Sequence, residues 1–298
     1  MRHAVLGAGG VGGLIGGILA KSGDAVTMVV RPEKLGEYPA ELSIESAMGS
    51  FSVPVEWAPT VSQAVDVLWI TVKATQLEQA LRSVLVQPEK IGAVVPLLNG
   101  IDHIALLRAQ FGHDRVVPAS IGVESERIAP GKIAHRSPSA RLNVSANGET
   151  RLAPAIEKLK AFGFNCQFSG DEQKILWNKL AFLAACALTT SASGMTVGEV
   201  NKDPQWRSQE EACVREACAV ATASGTPMDP AYFIAFFNNV PPGARTSMQK
   251  DLAAGNPPEL DAIAGPILRG ADKYGLEVPV TRKLVEIIRG KSDAASRA

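Results

Sequence analysis

The chain has 298 residues, with 30 lysines plus arginines against 30 aspartates plus glutamates, so its formal charge is zero. That balance removes any global reason for a nucleic acid or an acidic membrane surface to be the partner, and an anion site has to be local. The length suits two domains with ordinary buried cores. Cys166, Cys186, Cys213 and Cys218 form no CxxC pair and read as reduced thiols. No uninterrupted run of about 18 strongly apolar residues occurs, and the first residues lack the apolar core of a leader, so the expectation is a cytoplasmic protein without a membrane span.

In chain order, Ala4 to Leu6 reads as a buried strand, Gly7 to Gly13 as a turn, and the segment to Lys21 as a helix closed near Gly23. Ala25 to Val30 is a second strand, which completes a βαβ unit. Leu42 to Val55 is a hairpin or an extended excursion. Val65 to Val72, Gln76 to Leu85, Ala93 to Leu98 and Ile104 to Phe111 then alternate strand and helix, the pattern of a mostly parallel, doubly wound sheet. Val116 to Ile121 and Ile133 to His135 continue as strands, Leu152 to Phe162 as an amphipathic helix, and Phe164 to Phe168 as a last strand. After Ser169 the pattern turns all-helical, with helices over 172 to 192, 206 to 224, 245 to 254, 259 to 274 and 280 to 289, and about seven terminal residues expected to fray. The fold class is α/β: a Rossmann-type domain over 1–169 followed by a helical substrate domain over 170–298.

Gly7, Ala8, Gly9, Gly10, Val11 and Gly12 spell GxGxxG between a strand and a helix. Gly7 allows the tight turn, Gly9 clears the approach of a pyrophosphate, and Gly12 permits close helix packing; backbone N–H groups at the helix start, Gly10 and Val11 among them, then bind the phosphates. A dinucleotide site for a free ribose diol usually ends the second strand on an acid. Here Val30 is followed by Arg31, whose guanidinium suits a 2′-phosphate, and the expected cofactor is NADPH, with Glu33 keeping NADH open. Lys73 and Asn99 close the third and fourth strands at the end where ligands bind; a solvated loop charge explains Lys73 as well, and an Asn-Gly turn is the alternative for Asn99, whose position favours the functional reading.

Lys179 leads the uncharged run Leu180 to Leu188, so its amine needs water or a partner. Phe182, Leu183, Cys186 and Ala187 share its helical face, an apolar wall for any ligand there. Ser247 stands beside Met248 on a later helix, and Glu259 follows the Gly255-Asn256-Pro257-Pro258 turn where it would cap a helix. The four histidines show no metal-ligand spacing, and no metal is expected.

Taken together, the glycine fingerprint, Arg31, Thr71-Val72-Lys73, Asn99-Gly100, Trp177-Asn178-Lys179-Leu180, Thr246-Ser247-Met248 with Asp251, Glu259 with Gly265, and Gly275 to Pro279 resemble the ketopantoate reductase (2-dehydropantoate 2-reductase) family over nearly the whole length. The resemblance implies NADPH-dependent reduction of ketopantoate to pantoate, on the route to coenzyme A. It implies Lys179 as general acid at the 2-oxo group, Glu259 binding a substrate hydroxyl or steadying the lysine, Asn99 and Ser247 orienting substrate or lysine, and Lys73 and Asn99 in the cofactor crevice. Its partner would be a small 2-oxo acid, and its members are monomers or homodimers. Where the family carries asparagines four, eight and about eighteen residues after the lysine, this chain has Leu183, Ala187 and Val197. Two enzyme readings follow, a ketopantoate reductase or an NADPH-dependent reductase of a more apolar 2-oxo acid. A dinucleotide-binding regulator without chemistry is a third.

Overall fold

The computed structural model describes residues 1–297, which pack as two compact units. The first holds residues 1–98 and 103–175, and the second holds Asn99–Asp102 together with the chain from Leu176 onward.

In the first unit β1 (Arg2–Leu6), α1 (Gly10–Lys21) and β2 (Ala25–Val29) form the opening βαβ unit. β3 (Glu41–Ser46), β4 (Phe51–Pro54), β5 (Glu56–Ala58), β6 (Val65–Ile70), α2 (Leu77–Leu81), β7 (Ile91–Pro96) and α3 (His103–Phe111) follow, then β8 (Ala119–Gly122), β9 (Ser125–Ala129), β10 (Lys132–His135), β11 (Ala140–Ser145), α4 (Glu149–Phe162) and β12 (Phe164–Ser169). The main sheet is all-parallel in the order β5-β2-β1-β6-β7. Strand alternation splits its side chains cleanly: Val5, Val67, Trp69, Ala93 and Val95 meet α1 and α4, whereas Ala4, Leu6, Leu68, Ile70 and Val94 meet α2 and α3. Leu14, Ile15, Ile18 and Leu19 of α1 are at most 1% exposed, each contributing roughly 1.5–3 kcal/mol of burial.

The later strands do not extend the main sheet as the sequence pattern suggests. Val116 makes one parallel bridge to Val94, after which β8 joins β11 and β12 in a separate three-stranded sheet. The 42–55 segment is the hairpin β3–β4, which β10 and β9 complete as a four-stranded sheet. The glycines of α1 make this possible: a Cβ at Gly13 would lie 2.5 Å from Ile133, and one at Gly16 would lie 2.5 Å from Met28 of the main sheet. α1 is therefore thin enough to be gripped between two sheets.

Asp24, in the turn after α1, is buried at the foot of this layer. It accepts from Lys158 of α4 at 2.5 Å, from the Met1 amine at 2.6 Å and from His3 Nε2 at 3.1 Å. Trp69 Nε1 donates to His3 Nδ1 at 3.3 Å, which leaves the proton of a neutral ring on Nε2. Burial pushes the Asp24 carboxyl up, but Lys158, the amine and His3 outweigh it and hold it below the usual range.

The second unit is built on α5 (Glu172–Ser193), α6 (Val197–Lys202), α7 (Pro204–Ala223), α8 (Pro230–Phe236), α9 (Ser247–Ala253), α10 (Leu260–Tyr274) and α11 (Pro279–Arg297). The caps explain the boundaries: Thr196 and Glu199 form a reciprocal capping box, Asp203 and Asp229 each precede a proline at the first helical position, and Gly275 ends α10 at φ +66°. α5 is long and apolar enough to cross a membrane by length and composition alone, but 78% of that stretch is buried against α7, α10 and α11. The sequence reading misses α6 and α8, each about two turns or less, and the polar strand β9, whose exposed residues carry no alternation. It also carries the helix after Gln76 four residues too far; the chain leaves α2 at Leu81. Ala298 lies outside the described residues, and α11 runs through most of the segment expected to fray.

Replacing Asp24 by asparagine is expected to cost about 2–4 kcal/mol of stability at neutral pH in urea denaturation, because it strands the groups that the carboxylate now pairs. A carboxyl held below its unfolded value contributes above that value and loses the contribution as pH falls through the folded one, so the gap between Asp24→Asn and wild type should close below about pH 4.

Candidate active site

The dinucleotide loop lies entirely in the first unit. Gly7 adopts φ +108°, and a Cβ there would lie 2.8 Å from Val72. Thr71 Oγ1 donates to the Gly7 carbonyl at 2.7 Å and pins the turn. A Cβ on Gly12 would lie 2.1 Å from the Gly7 carbonyl oxygen, so α1 could not start so close to β1 with any other residue. Gly9 is different: an added Cβ meets nothing within 4 Å. This open space lies before the first turn of α1, where Gly10 and Val11 present amides and Gly9 offers no side chain, and it fits a dinucleotide pyrophosphate. Gly10 also serves packing, since a Cβ there would lie 2.0 Å from the Ser125 carbonyl oxygen.

Arg31 follows β2 as expected, exposed, with Nε 3.7 Å from Glu33 Oε1. Both side chains are more than 60% exposed, so this pair is a weak hold and the guanidinium is available to a phosphate. Lys73 is half-buried at the end of the chain leaving β6, where it caps a short 3-10 turn.

The second unit brings Asn99, Lys179 and Glu259 together. Glu259 occupies the N-cap position of α10 but makes no capping hydrogen bond with its side chain. The residue is 6% exposed and its carboxylate accepts from Asn99 Nδ2 at 3.1 Å, so Glu259 stands at the helix start as expected while its side chain bonds to Asn99. Lys179 sits in the second turn of α5, between buried Trp177 and Leu180. Burial pulls its ammonium down to about 8, while the Glu259 carboxylate pushes the other way.

Asn99 reaches Glu259 because its segment is held against α10. Gly100 takes φ +84°, where a Cβ would lie 2.4 Å from the Ala262 carbonyl oxygen, and Ile101 packs on the helical core. Arg269 bonds Asp102 and, at 2.7 Å, Asp261, its guanidinium lying over Gly265. The Asn-Gly pair is thus more than a turn, and its partner Glu259, 160 residues away, could not be read from local pattern.

Ser247 is the first residue of α9 and is exposed. Its neighbour Thr246 caps that helix and meets Thr190 Oγ1 at 3.2 Å. Thr190 lies eleven positions after Lys179, three turns along the same helical face, and this spacing was the available signal for the contact.

Comparison with known proteins places the chain by sequence and by fold. The family described as "Ketopantoate reductase PanE/ApbA" matches residues 3–149, and its C-terminal counterpart matches residues 171–292. The chain is 30% identical over 288 residues to the "Uncharacterized oxidoreductase YkpB" of Bacillus subtilis, covering 94% of this chain and 95% of that protein. It is 29% identical over 300 residues to the 2-dehydropantoate 2-reductase of Caulobacter vibrioides, covering 96% and 97%. A crystal structure of a PanE/ApbA family ketopantoate reductase from Ralstonia eutropha superimposes with a TM-score of 0.88 at 26% identity, over 99% of this chain and 100% of that one. The protein is therefore an oxidoreductase-type chain with a Rossmann-like domain followed by a helical one. It belongs to the ketopantoate reductase family.

The two fingerprint glycines are expected to separate on substitution. Gly9→Ala should leave thermal stability within about 0.5 kcal/mol of wild type yet weaken NAD(P)H binding about tenfold or more in a fluorescence titration. Gly12→Ala should lower both, because its methyl group displaces backbone.

Proposed function

We propose that the chain reduces a small 2-oxo acid with NADPH, Lys179 donating the proton to the carbonyl oxygen. The observation that carries this reading is an ammonium embedded in the apolar face of α5 beside a buried carboxylate and brought down to about 8. Bound NADPH would supply hydride to the carbonyl carbon. The residues supply the rest. As charge grows on the 2-oxo oxygen, Lys179 stabilises it and passes its proton from Nζ, so that C=O becomes CH–OH; the amine then regains a proton from solvent. Near pH 7 such a lysine is still protonated by about ten to one, while it is a stronger acid than an exposed lysine.

Glu259 keeps the ammonium charged against the cost of burial, and Asn99 Nδ2 fixes the carboxylate in place. Gly9, Gly10, Val11 and Gly12 would hold the pyrophosphate, and Arg31 the 2′-phosphate that separates NADPH from NADH. Lys73 belongs to the cofactor side of the reading, and Ser247 to substrate orientation.

2-Dehydropantoate is the substrate named for the Caulobacter vibrioides relative and is our first reading of the acid. The uncharged face beyond Lys179 favours a second, a more apolar 2-oxo acid, since Leu183 and Ala187 offer no hydrogen bond.

Lys179→Ala should lower turnover by about 100-fold or more with the dissociation constant for NADPH unchanged; undiminished turnover would remove Lys179 as the acid. In wild type the rate of reduction should fall along a limb near pH 8 as the lysine deprotonates. Glu259→Gln removes the group that raises the lysine, so that limb should move to lower pH. Arg31→Ala should weaken NADPH far more than NADH, which paired dissociation constants would reveal.

A further inference from the structure

β10 ends on His135, which is 3% exposed and lies in one cross-strand row with Ser46 of β3 and Ser125 of β9. Its ring spans two serine hydroxyls: Nδ1 is 2.9 Å from Ser46 Oγ, and Nε2 is 3.0 Å from Ser137 Oγ. Burial holds the imidazole below its usual value, so near pH 7 one ring nitrogen donates and the other accepts.

The two hydroxyls lead to different places. Ser46 Oγ accepts from the Met48 amide at 3.0 Å, in the turn between β3 and β4. Ser137 Oγ accepts from the Glu124 amide at 3.1 Å, and the Glu124 carbonyl accepts from the Arg136 amide at 2.8 Å. These bonds fix the residue before Ser125, whose Oγ donates to the Gly10 carbonyl at 2.8 Å. β9 is the edge strand of its sheet, paired with β10 on one side, so its start depends on these bonds. In a planar trans peptide the C=O and N–H point in opposite directions, so a donor that holds the Gly10 carbonyl also aims the Val11 amide.

We propose that His135 is a positioning residue for the dinucleotide: through Ser137, Glu124 and Ser125 it sets the direction of the amide that the first turn of α1 offers to the pyrophosphate. This rests on the reading of Gly9 to Gly12 as the pyrophosphate cradle. Ser46, on the other side of the ring, belongs to the hairpin turn and not to this path.

The test separates the two sides of the ring. A glutamine amide reaches the place of Nε2 and an asparagine amide that of Nδ1, so His135→Gln keeps the Ser137 bond and His135→Asn keeps only the Ser46 bond. In fluorescence titrations of the full chain, His135→Asn and Ser137→Ala are expected to weaken NADPH about three- to tenfold, the worth of one hydrogen bond, with His135→Gln and Ser46→Ala within about twofold of wild type. Ser125→Ala should weaken NADPH likewise, and combining it with Ser137→Ala should add little, because both act on one path. Thermal melts check the fold of each variant, and if a His135 variant does not fold the serine variants carry the same comparison. A ring that only packs would give Asn and Gln, and Ser137→Ala and Ser46→Ala, equal affinities; that result, or NADPH binding unchanged in all of them, would overturn the proposal. NADPH affinity unmoved by Gly9→Ala would instead overturn the cradle reading, and this inference with it.

Discussion

An ammonium set into an apolar helix face has to find a counter-charge or lose its proton, and the second unit is organised around that requirement at Lys179. α5 is buried along most of its length in the helical core, and Lys179, the second of its two lysines, is only partly exposed, so it is not solvated as a surface lysine is. The counter-charge comes from Glu259, at the start of α10, which gives up side-chain capping of its own helix to serve. Burial wins the balance, but only in part: the lysine stays charged near neutral pH while its proton is held more loosely.

Holding Glu259 requires a further layer. Asn99 bonds it, Gly100 lets the chain run against the Ala262 carbonyl, and Arg269 bridges Asp102 and Asp261. The exposed ion pairs contribute little energy individually. Their value lies in fixing a short segment whose asparagine must reach a buried carboxylate. In the first unit the equivalent constraint is steric, with glycines where β1, α1 and β6 meet and one glycine, Gly9, facing open space.

Much of this was legible in the sequence. The Gly7 to Gly12 spacing, the parallel strands of the main sheet and the all-helical second half follow from periodicity, glycine placement and caps. The satellite sheets were not, because β9 is polar, because pairing of β10 with β3 depends on their packing against a thinned α1, and because β8 and β11 pair across a long stretch of chain. Among the site residues, Lys179 stood out as an isolated charge in an apolar run. Glu259 could equally have been a cap, and only the Asn99 contact across 160 residues separates the roles. Ser247 shows the reverse: its neighbour Thr246, not Ser247 itself, makes the hydrogen bond to α5. The apolar face after Lys179 was visible, but not that Ala187 and Val197 are sealed while Leu183 is reachable.

The tuned pair at the centre of this account can be observed without turnover, by a nitrogen NMR titration of the Lys179 side-chain amine in the full chain, its resonance assigned by loss in Lys179→Arg. The account predicts a midpoint near 8, falling further when Glu259 is replaced by glutamine. A midpoint at the ordinary lysine value near 10.5, indifferent to Glu259, would contradict it.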